Sequence, residues 1–289
     1  VTSPYVRRLR LGNELRELRK QAGLTSEGLA QKFAGGTRLK VSRLETAARK
    51  PDLGDVMKVL EALGVETGSG RWLSLVQVAR DGAERGWWEK PAYSGMGARQ
   101  ALWADLEAGA TYIRMYEPAT VPGVLQTSEF IHARNETVAA TYAGAFDAVA
   151  TASGRLRRQE EVFRPGGPML DVILEEQALR RLAVPPAIMR AQLEHLVALC
   201  EHEQVTLRVL PIEIDVVSVY LPRGPYNLFS FSDPNDPVVL LADNLTADVV
   251  SGDADEVAPY AQLFDRLAEG ALPPAESAAH IAKLAKAGW

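Results

Sequence analysis

"LTSEGLAQKFAGGTRLKVSRLE", residues 24–45, holds two short helical patterns separated by a pair of glycines. Thr25 stands where an N-cap is needed and Glu27 suits the first turn. Leu29, Ala30 and Phe33 then give a narrow apolar stripe that predicts a helix running to Ala34. Gly35 and Gly36 break it, and Thr37 opens a second helix over 37–46. Within that helix Val41 and Leu44 lie three apart on one face, while Arg38, Leu39, Lys40, Ser42 and Arg43 take the others. One face packs, and the other is left to contact a partner.

Working outward, "RRLRLGNELRELRKQAG" (7–23) carries Leu9, Leu11, Leu15, Leu18 and Ala22 at helical spacing, with Gly23 placed to close the helix in the left-handed conformation. After "RKPD", Asp52 caps a fourth helix whose buried side is Leu53, Val56, Leu60 and Leu63. A fifth, around 71–85, turns Trp72, Leu75 and Ala79 inward. Residues 1–70 hold 13 Lys and Arg against 8 Asp and Glu, a balance of +5; the remainder holds 19 against 29, a balance of −10. The basic part is therefore the one expected to meet an anionic partner.

"DGAERGWWEKPAYSGMGARQ" (81–100) is rich in glycine and reads as an inter-domain connection. Beyond it, "TYIRMYE", "MLDVILE", "VTLRVLP", "YNLFSFS" and "PVVLLAD" have strand length and strand composition. Helical patterns lie at about 127–138, 144–163, 176–202, 254–270 and 274–287. Strands and helices without strict alternation argue for an α+β fold: an all-α domain over 1–85 followed by a larger mixed domain over 86–289. At 289 residues, 47% hydrophobic and 24% charged, the chain has the composition of a globular protein. It lacks a long apolar run or a signal-peptide core, so a cytoplasmic location and no membrane partner are expected.

Two short helices joined by a glycine turn and braced by a preceding helix are what a helix-turn-helix requires, the second lying in the major groove. The stretch 9–65 resembles the Xre-type (phage repressor and Cro-like) family through "AGLT", "LA", "VSRLE", the following proline and "ALGV". That resemblance implies base-facing positions at Arg38, Leu39 and Arg43, a groove-edge or phosphate contact at Ser26, and an internal ion pair between Arg19 and Glu45. Arginine forks suit guanine O6 and N7, and a leucine offers only methyl surface, which suits thymine. Lys40, Arg49 and Lys50 suit phosphates, and Thr37 and Ser42 complete the expected DNA-facing set. The turn "FAGGT" is one residue longer than the family's commonest pattern, which would rotate the recognition helix.

From Trp87 onward "GWWEKP", "YIRMYEPATVPGVLQTSEFIHA", "RLRRQE", "LDVILEEQALRRL", "MRAQLEHLVALCEHEQVTLRVLPIE" and "GPYNLFSFSDPNDPVVLLAD" resemble a group of actinobacterial Xre-type regulators whose C-terminal domain, of unknown function, is described as antitoxin-like. The resemblance implies a small companion protein encoded nearby. The expected function is sequence-specific binding of double-stranded DNA at a palindromic operator by a homodimer. The mixed domain would modulate that binding through a partner or ligand, and the alternative is an antitoxin-like protein that neutralises its companion and uses DNA binding for autoregulation.

Catalysis is not expected. HExxH, CxxC, GxSxG and phosphate-loop patterns are missing, and Glu175 and Glu176 are adjacent carboxylates at a helix start. No metal or other cofactor is expected: His195 and His202 lie seven apart on a helical pattern without a third ligand, His132 and His280 are scattered, and Cys200 reads as a buried structural thiol. "EPATVPGVLQTSEF" fixes a loop before a helix starting near Thr127 or Ser128, whose free amides are candidates to hold an anion or a partner's carboxylate. Trp88 and Tyr116 join these two as candidate partner- or ligand-binding residues, and Trp103, Tyr112, Tyr142 and Phe146 are further aromatics that line either a pocket or the core.

Overall fold

The computed structural model describes residues 2–141, 147–213, 220–244 and 248–287. These form two units, Val1–Trp87 together with Ser232–Pro237, and Trp88–Phe231 together with Val238–Trp289. The expected Tyr142 and Phe146 aromatics lie outside the described residues.

The first unit is all helical: α1 Pro4–Gln21, α2 Ser26–Ala30, α3 Arg38–Glu45, α4 Leu53–Ala62 and α5 Gly70–Ala83. All five carry a side-chain N-cap. Ser3, Thr25, Thr37, Asp52 and Ser69 accept from the amides of Val6, Gly28, Lys40, Asp55 and Trp72, which satisfies donors that helix starts otherwise leave open. Gly23 takes φ +66° just past α1, and the amide of Leu24 returns to the Arg19 carbonyl. Leu11, Leu15, Leu29, Val41, Val56, Leu60, Leu75 and Ala79 meet in one core, with Trp72 and Phe33 packed against it. The loop Ser232–Pro237 belongs here because Asp233 Oδ2 accepts from Arg7 Nη1 at 2.9 Å and from Arg10 Nη1 at 2.7 Å.

Helix α2 is shorter than its sequence pattern. It stops at Ala30, and the amide of Lys32 bonds to Leu29 instead of continuing the i−4 ladder. Phe33 still reaches the core, now from the turn that follows.

The second unit is built on a six-stranded sheet ordered β3-β2-β1-β4-β5-β6. Its strands are β1 Ala110–Glu117, β2 Met169–Glu175, β3 Val205–Leu210, β4 Tyr226–Phe231, β5 Val239–Ala242 and β6 Val249–Ser251. Pairs β1/β2 and β2/β3 are parallel, and β1/β4, β4/β5 and β5/β6 are antiparallel. The parallel pairs are bridged by helices α7 Ser128–Thr141 and α8 Ala148–Val162, then α9 Glu176–Arg180 and α10 Pro186–Leu199. Helix α6 Gly97–Gly109 precedes β1, and α11 Ala254–Gly270 and α12 Pro274–Ala287 follow the sheet. On one sheet face Tyr116, Ile173, Leu210, Tyr226 and Leu228 pack with Val257, Phe264 and Leu267 of α11. The fold is α+β, with a helical N-terminal region and a larger mixed domain.

Three elements depart from the sequence pattern. Helix α6 lies partly inside the stretch read as a connection, because its Asp105 and Glu107 are buried charges that break the apolar stripe. The pattern over 176–202 is two helices, since Pro185 and Pro186 lack the amides a continuous helix needs and instead open α10. Strand β6 is three residues long and carries no alternation to read.

Candidate nucleic-acid interface

Helix α3 is the second helix of the pair, and its position is set from two sides. Beneath it, Val41 is buried in the core at 1% exposure and Leu44 packs against the same core. At its C-terminal end Glu45, 7% exposed, accepts from Arg19 Nε at 2.6 Å and from Arg19 Nη2 at 2.8 Å. Arg19 Nη1 also reaches the Leu24 carbonyl at 2.9 Å, and Arg16 Nη2 reaches the Glu45 carbonyl at 2.6 Å. The hydrogen bond to Glu45 holds the Arg19 guanidinium above its ordinary pKa. A forked arginine–carboxylate pair fixes orientation as well as distance, so α1 sets both the depth and the rotation of α3.

The turn between α2 and α3 is set by Gly36. A Cβ added there would stand 2.0 Å from the Ala30 carbonyl oxygen, so any side chain would push α3 away from α2.

Thr37, Arg38, Leu39 and Ser42 are exposed, Leu39 at 56%, and Lys40 and Arg43 are half-buried. An exposed leucine amid cations, on a helix whose other face is core, is a surface prepared for contact. Among the described residues, the guanidiniums of Arg38 and Arg43 have no hydrogen-bonding or ionic partner. The other cations differ. Lys40 Nζ sits 3.0 Å from Asp55 Oδ2 on α4, and Lys50 Nζ donates to the Glu84 carbonyl at 2.9 Å. Arg49 is exposed beyond α3, and Ser26 is half-buried at the start of α2. The Asp55 partner of Lys40 could not be foreseen, because it stands fifteen residues away on the next helix.

The candidate partner-binding residues of the second unit are dispersed. Tyr116 is 1% exposed, and its hydroxyl donates to Glu175 Oε1 at 2.6 Å, so it is a core residue. Trp88 is buried as well. The Thr127 amide, expected to be open to an anion, donates to Gln192 Oε1 at 2.7 Å, while the Thr127 hydroxyl accepts from Phe130. Ser128 is half-buried at the start of α7. Glu175 and Glu176 have different partners: Glu176 accepts from Arg180 Nε and from the Ile212 amide, whereas Glu175 accepts from the Tyr116 hydroxyl. His202 lies past the end of α10, so it does not share a helix with His195. Among the described residues no cluster of three His, Cys, Asp or Glu is placed to hold a metal ion. Cys200 is half-buried, and burial pushes its thiol up.

Residues 10–71 match a family model described as a helix-turn-helix domain, and residues 100–283 match one described as a domain of unknown function (DUF5753). No curated protein and no solved structure matches the chain. A helix-turn-helix domain suggests a DNA-binding regulator, a role that needs no catalysis. None of the described helices is long and apolar enough to cross a membrane. Since the second match spans more than half of its length, the chain belongs to the DUF5753 family, with a helix-turn-helix domain ahead of that region.

Proposed function

We propose that the protein is a sequence-specific regulator that binds double-stranded DNA by laying α3 in the major groove. The observation that carries this reading is a pair of guanidiniums, exposed Arg38 and half-buried Arg43, that have no partner among the described residues and flank Leu39 on a helix held rigidly from behind by Arg19 and Glu45. Arg38 and Arg43 face guanines, Leu39 faces a thymine methyl, and Ser26, Thr37 and Ser42 lie at the groove edge. Lys40, Arg49 and Lys50 contact phosphates, which contribute affinity without sequence choice. The motif order that resembles the Xre-type family supports the same assignment.

A single helix-turn-helix makes few phosphate contacts, and a two-fold operator matches a two-fold protein, so the binding species is a homodimer. The second unit supplies the means by which binding is modulated.

The test is fluorescence anisotropy of the full chain against DNA from upstream of its own gene and against scrambled duplex, at two salt concentrations. A preference on the order of a thousandfold or more is expected for the cognate duplex. Arg43→Ala should relax the choice at one base pair at a cost of about 1–3 kcal/mol. Lys50→Ala should weaken all sequences alike and flatten the salt dependence. Loss of affinity in Arg38→Ala and Arg43→Ala that is identical for both duplexes would remove these side chains from base readout.

A further inference from the structure

The second unit carries a half-open cavity of about 500 Å³, within the range of small-molecule sites. One side is the sheet face opposite α11. Met115 and Glu117 alternate on β1, and Asn227 of β4 pairs directly with Met115. Glu117 and Asn227 therefore stand on the same face of neighbouring strands as diagonal neighbours. Trp103 of α6 and Arg155 of α8 also line the cavity.

The polar groups of this cavity are incompletely matched. Asn227 is 1% exposed, and among the described residues neither its amide nitrogen nor its amide oxygen has a partner. Leaving buried polar groups unpaired costs stability, because their desolvation is not offset. Glu117 is buried, and burial alone pushes its carboxyl up to about 8. Arg155 donates Nη1 to Gln126 Oε1 at 3.3 Å, but among the described residues its Nε has no partner. Burial and the guanidiniums of Arg158, Arg134 and Arg99 pull it down to about 10, so it stays cationic at neutral pH.

Two of these neighbours show the contrast, while Arg134 reaches only the Ala183 carbonyl among the described residues. Arg158 grips Glu107 through two bonds of 2.6 and 2.5 Å, and Arg99 grips Asp248. Among the described residues Arg155 has no carboxylate. A cation at the cavity wall without an anion, in the same lining as a buried amide without a partner among the described residues, has the polarity of a site whose remaining partner comes from outside the chain.

We propose that this cavity binds a small organic anion bearing an amide-type edge, its anionic group against Arg155 and its adjacent donor and acceptor paired with the side-chain amide of Asn227. An asparagine presents an acceptor and a donor side by side, so a carboxamide, lactam or nucleobase edge satisfies both at once. Trp103 and Met115 supply the apolar walls for the body of the ligand. Glu117 sits where it meets a further polar group on the same edge.

The test is a binding series on the full chain, read by thermal shift and by tryptophan fluorescence, with Trp103→Phe assigning the optical signal. N-acetylglycine and uridine 5′-monophosphate each combine an anion with an amide-type edge and distinguish a carboxylate source from a phosphate source. Acetate, inorganic phosphate and acetamide carry one feature only. At least one of the two combined probes should bind about tenfold or more tightly than every single-feature probe, and Asn227→Leu and Arg155→Met should each remove that margin. Without ligand, Asn227→Leu should melt no lower than the wild type, because it removes an orphaned amide. Combined probes that bind no better than acetate, phosphate and acetamide would overturn the proposal, a result that does not depend on any variant folding. So would an Asn227→Leu protein that melts clearly lower when unliganded, since Asn227 would then serve the fold.

Discussion

Replacing Asp55 with asparagine should tighten DNA binding and steepen its salt dependence, although position 55 lies on α4 and not on α3. Lys40 Nζ lies 3.1 Å from Asp55 Oδ1 and 3.0 Å from Oδ2, with side-chain exposures of 41% and 21%. To contact a phosphate, Lys40 must leave this fork, and the abandoned carboxylate then stands near the DNA backbone. An exposed pair of this kind is worth about 0–1 kcal/mol, so releasing it returns up to about fivefold in affinity. The fold should tolerate the change, because the Asp52 cap holds the backbone amide of residue 55 and not its side chain. One additional effective phosphate contact steepens the log–log salt slope by about 0.9, so raising salt from about 50 to about 200 mM should weaken the variant about 3.5-fold more than the wild type. Anisotropy of full-length protein on a duplex of arbitrary sequence measures both quantities, since phosphate contacts carry no sequence choice. Unchanged affinity and unchanged slope in Asp55→Asn would refute the assignment of Lys40 to a phosphate.

Three further outcomes follow from the geometry. Glu45→Gln leaves the Arg19 guanidinium without its forked partner and should lower the stability of the first unit by about 3 kcal/mol, measured by calorimetric unfolding; a loss well below 1 kcal/mol would mean the pair contributes little. Gly36→Ala places a Cβ 2.0 Å from the Ala30 carbonyl oxygen and should cost about 1–3 kcal/mol while weakening cognate DNA binding, because α3 is displaced from α2. Glu117, raised by burial from an ordinary 4.5 to about 8, holds its proton in the folded state where the unfolded chain has lost it. Its contribution to stability is therefore fully present below about 4.5 and is lost as pH rises towards about 8, by at most about 1.4 kcal/mol per pH unit, and Glu117→Gln should flatten that part of a melting-temperature profile against pH.

The readable parts of this fold are those whose determinants lie within one turn or one strand of each other. Thr25, Thr37 and Asp52 cap the helices they precede because a cap acts over three residues. Five of the six strands stood out through β-branched and aromatic runs, while β6 is too short to show a period. Helix α6 was hidden because Glu107 looks like a surface residue and is in fact 1% exposed, its charge answered by Arg158 fifty-one residues away. The same distance effect concealed the loop Ser232–Pro237, whose aspartates look solvated until Arg7 and Arg10 are placed beside them. Local rules find elements, whereas long-range charge pairing decides which charged residues turn inward.

That distinction explains why the outward face of α3 was legible and the cavity was not. The residues of α3 announce themselves by contrast within eight positions: Val41, Leu44 and Glu45 inward, the rest outward or half-exposed, with cations among them. The cavity draws Trp103, Glu117, Arg155 and Asn227 from four separate elements, and in sequence each looks like an ordinary member of its helix or strand. Only the assembled fold shows that two of its neighbouring arginines are answered by carboxylates while Arg155 is not. A chain that pairs Arg158 and Arg99 so closely has the means to neutralise a third guanidinium, so leaving both Arg155 and Asn227 incompletely paired in the lining of one cavity is a cost to stability that occupation by a ligand would offset.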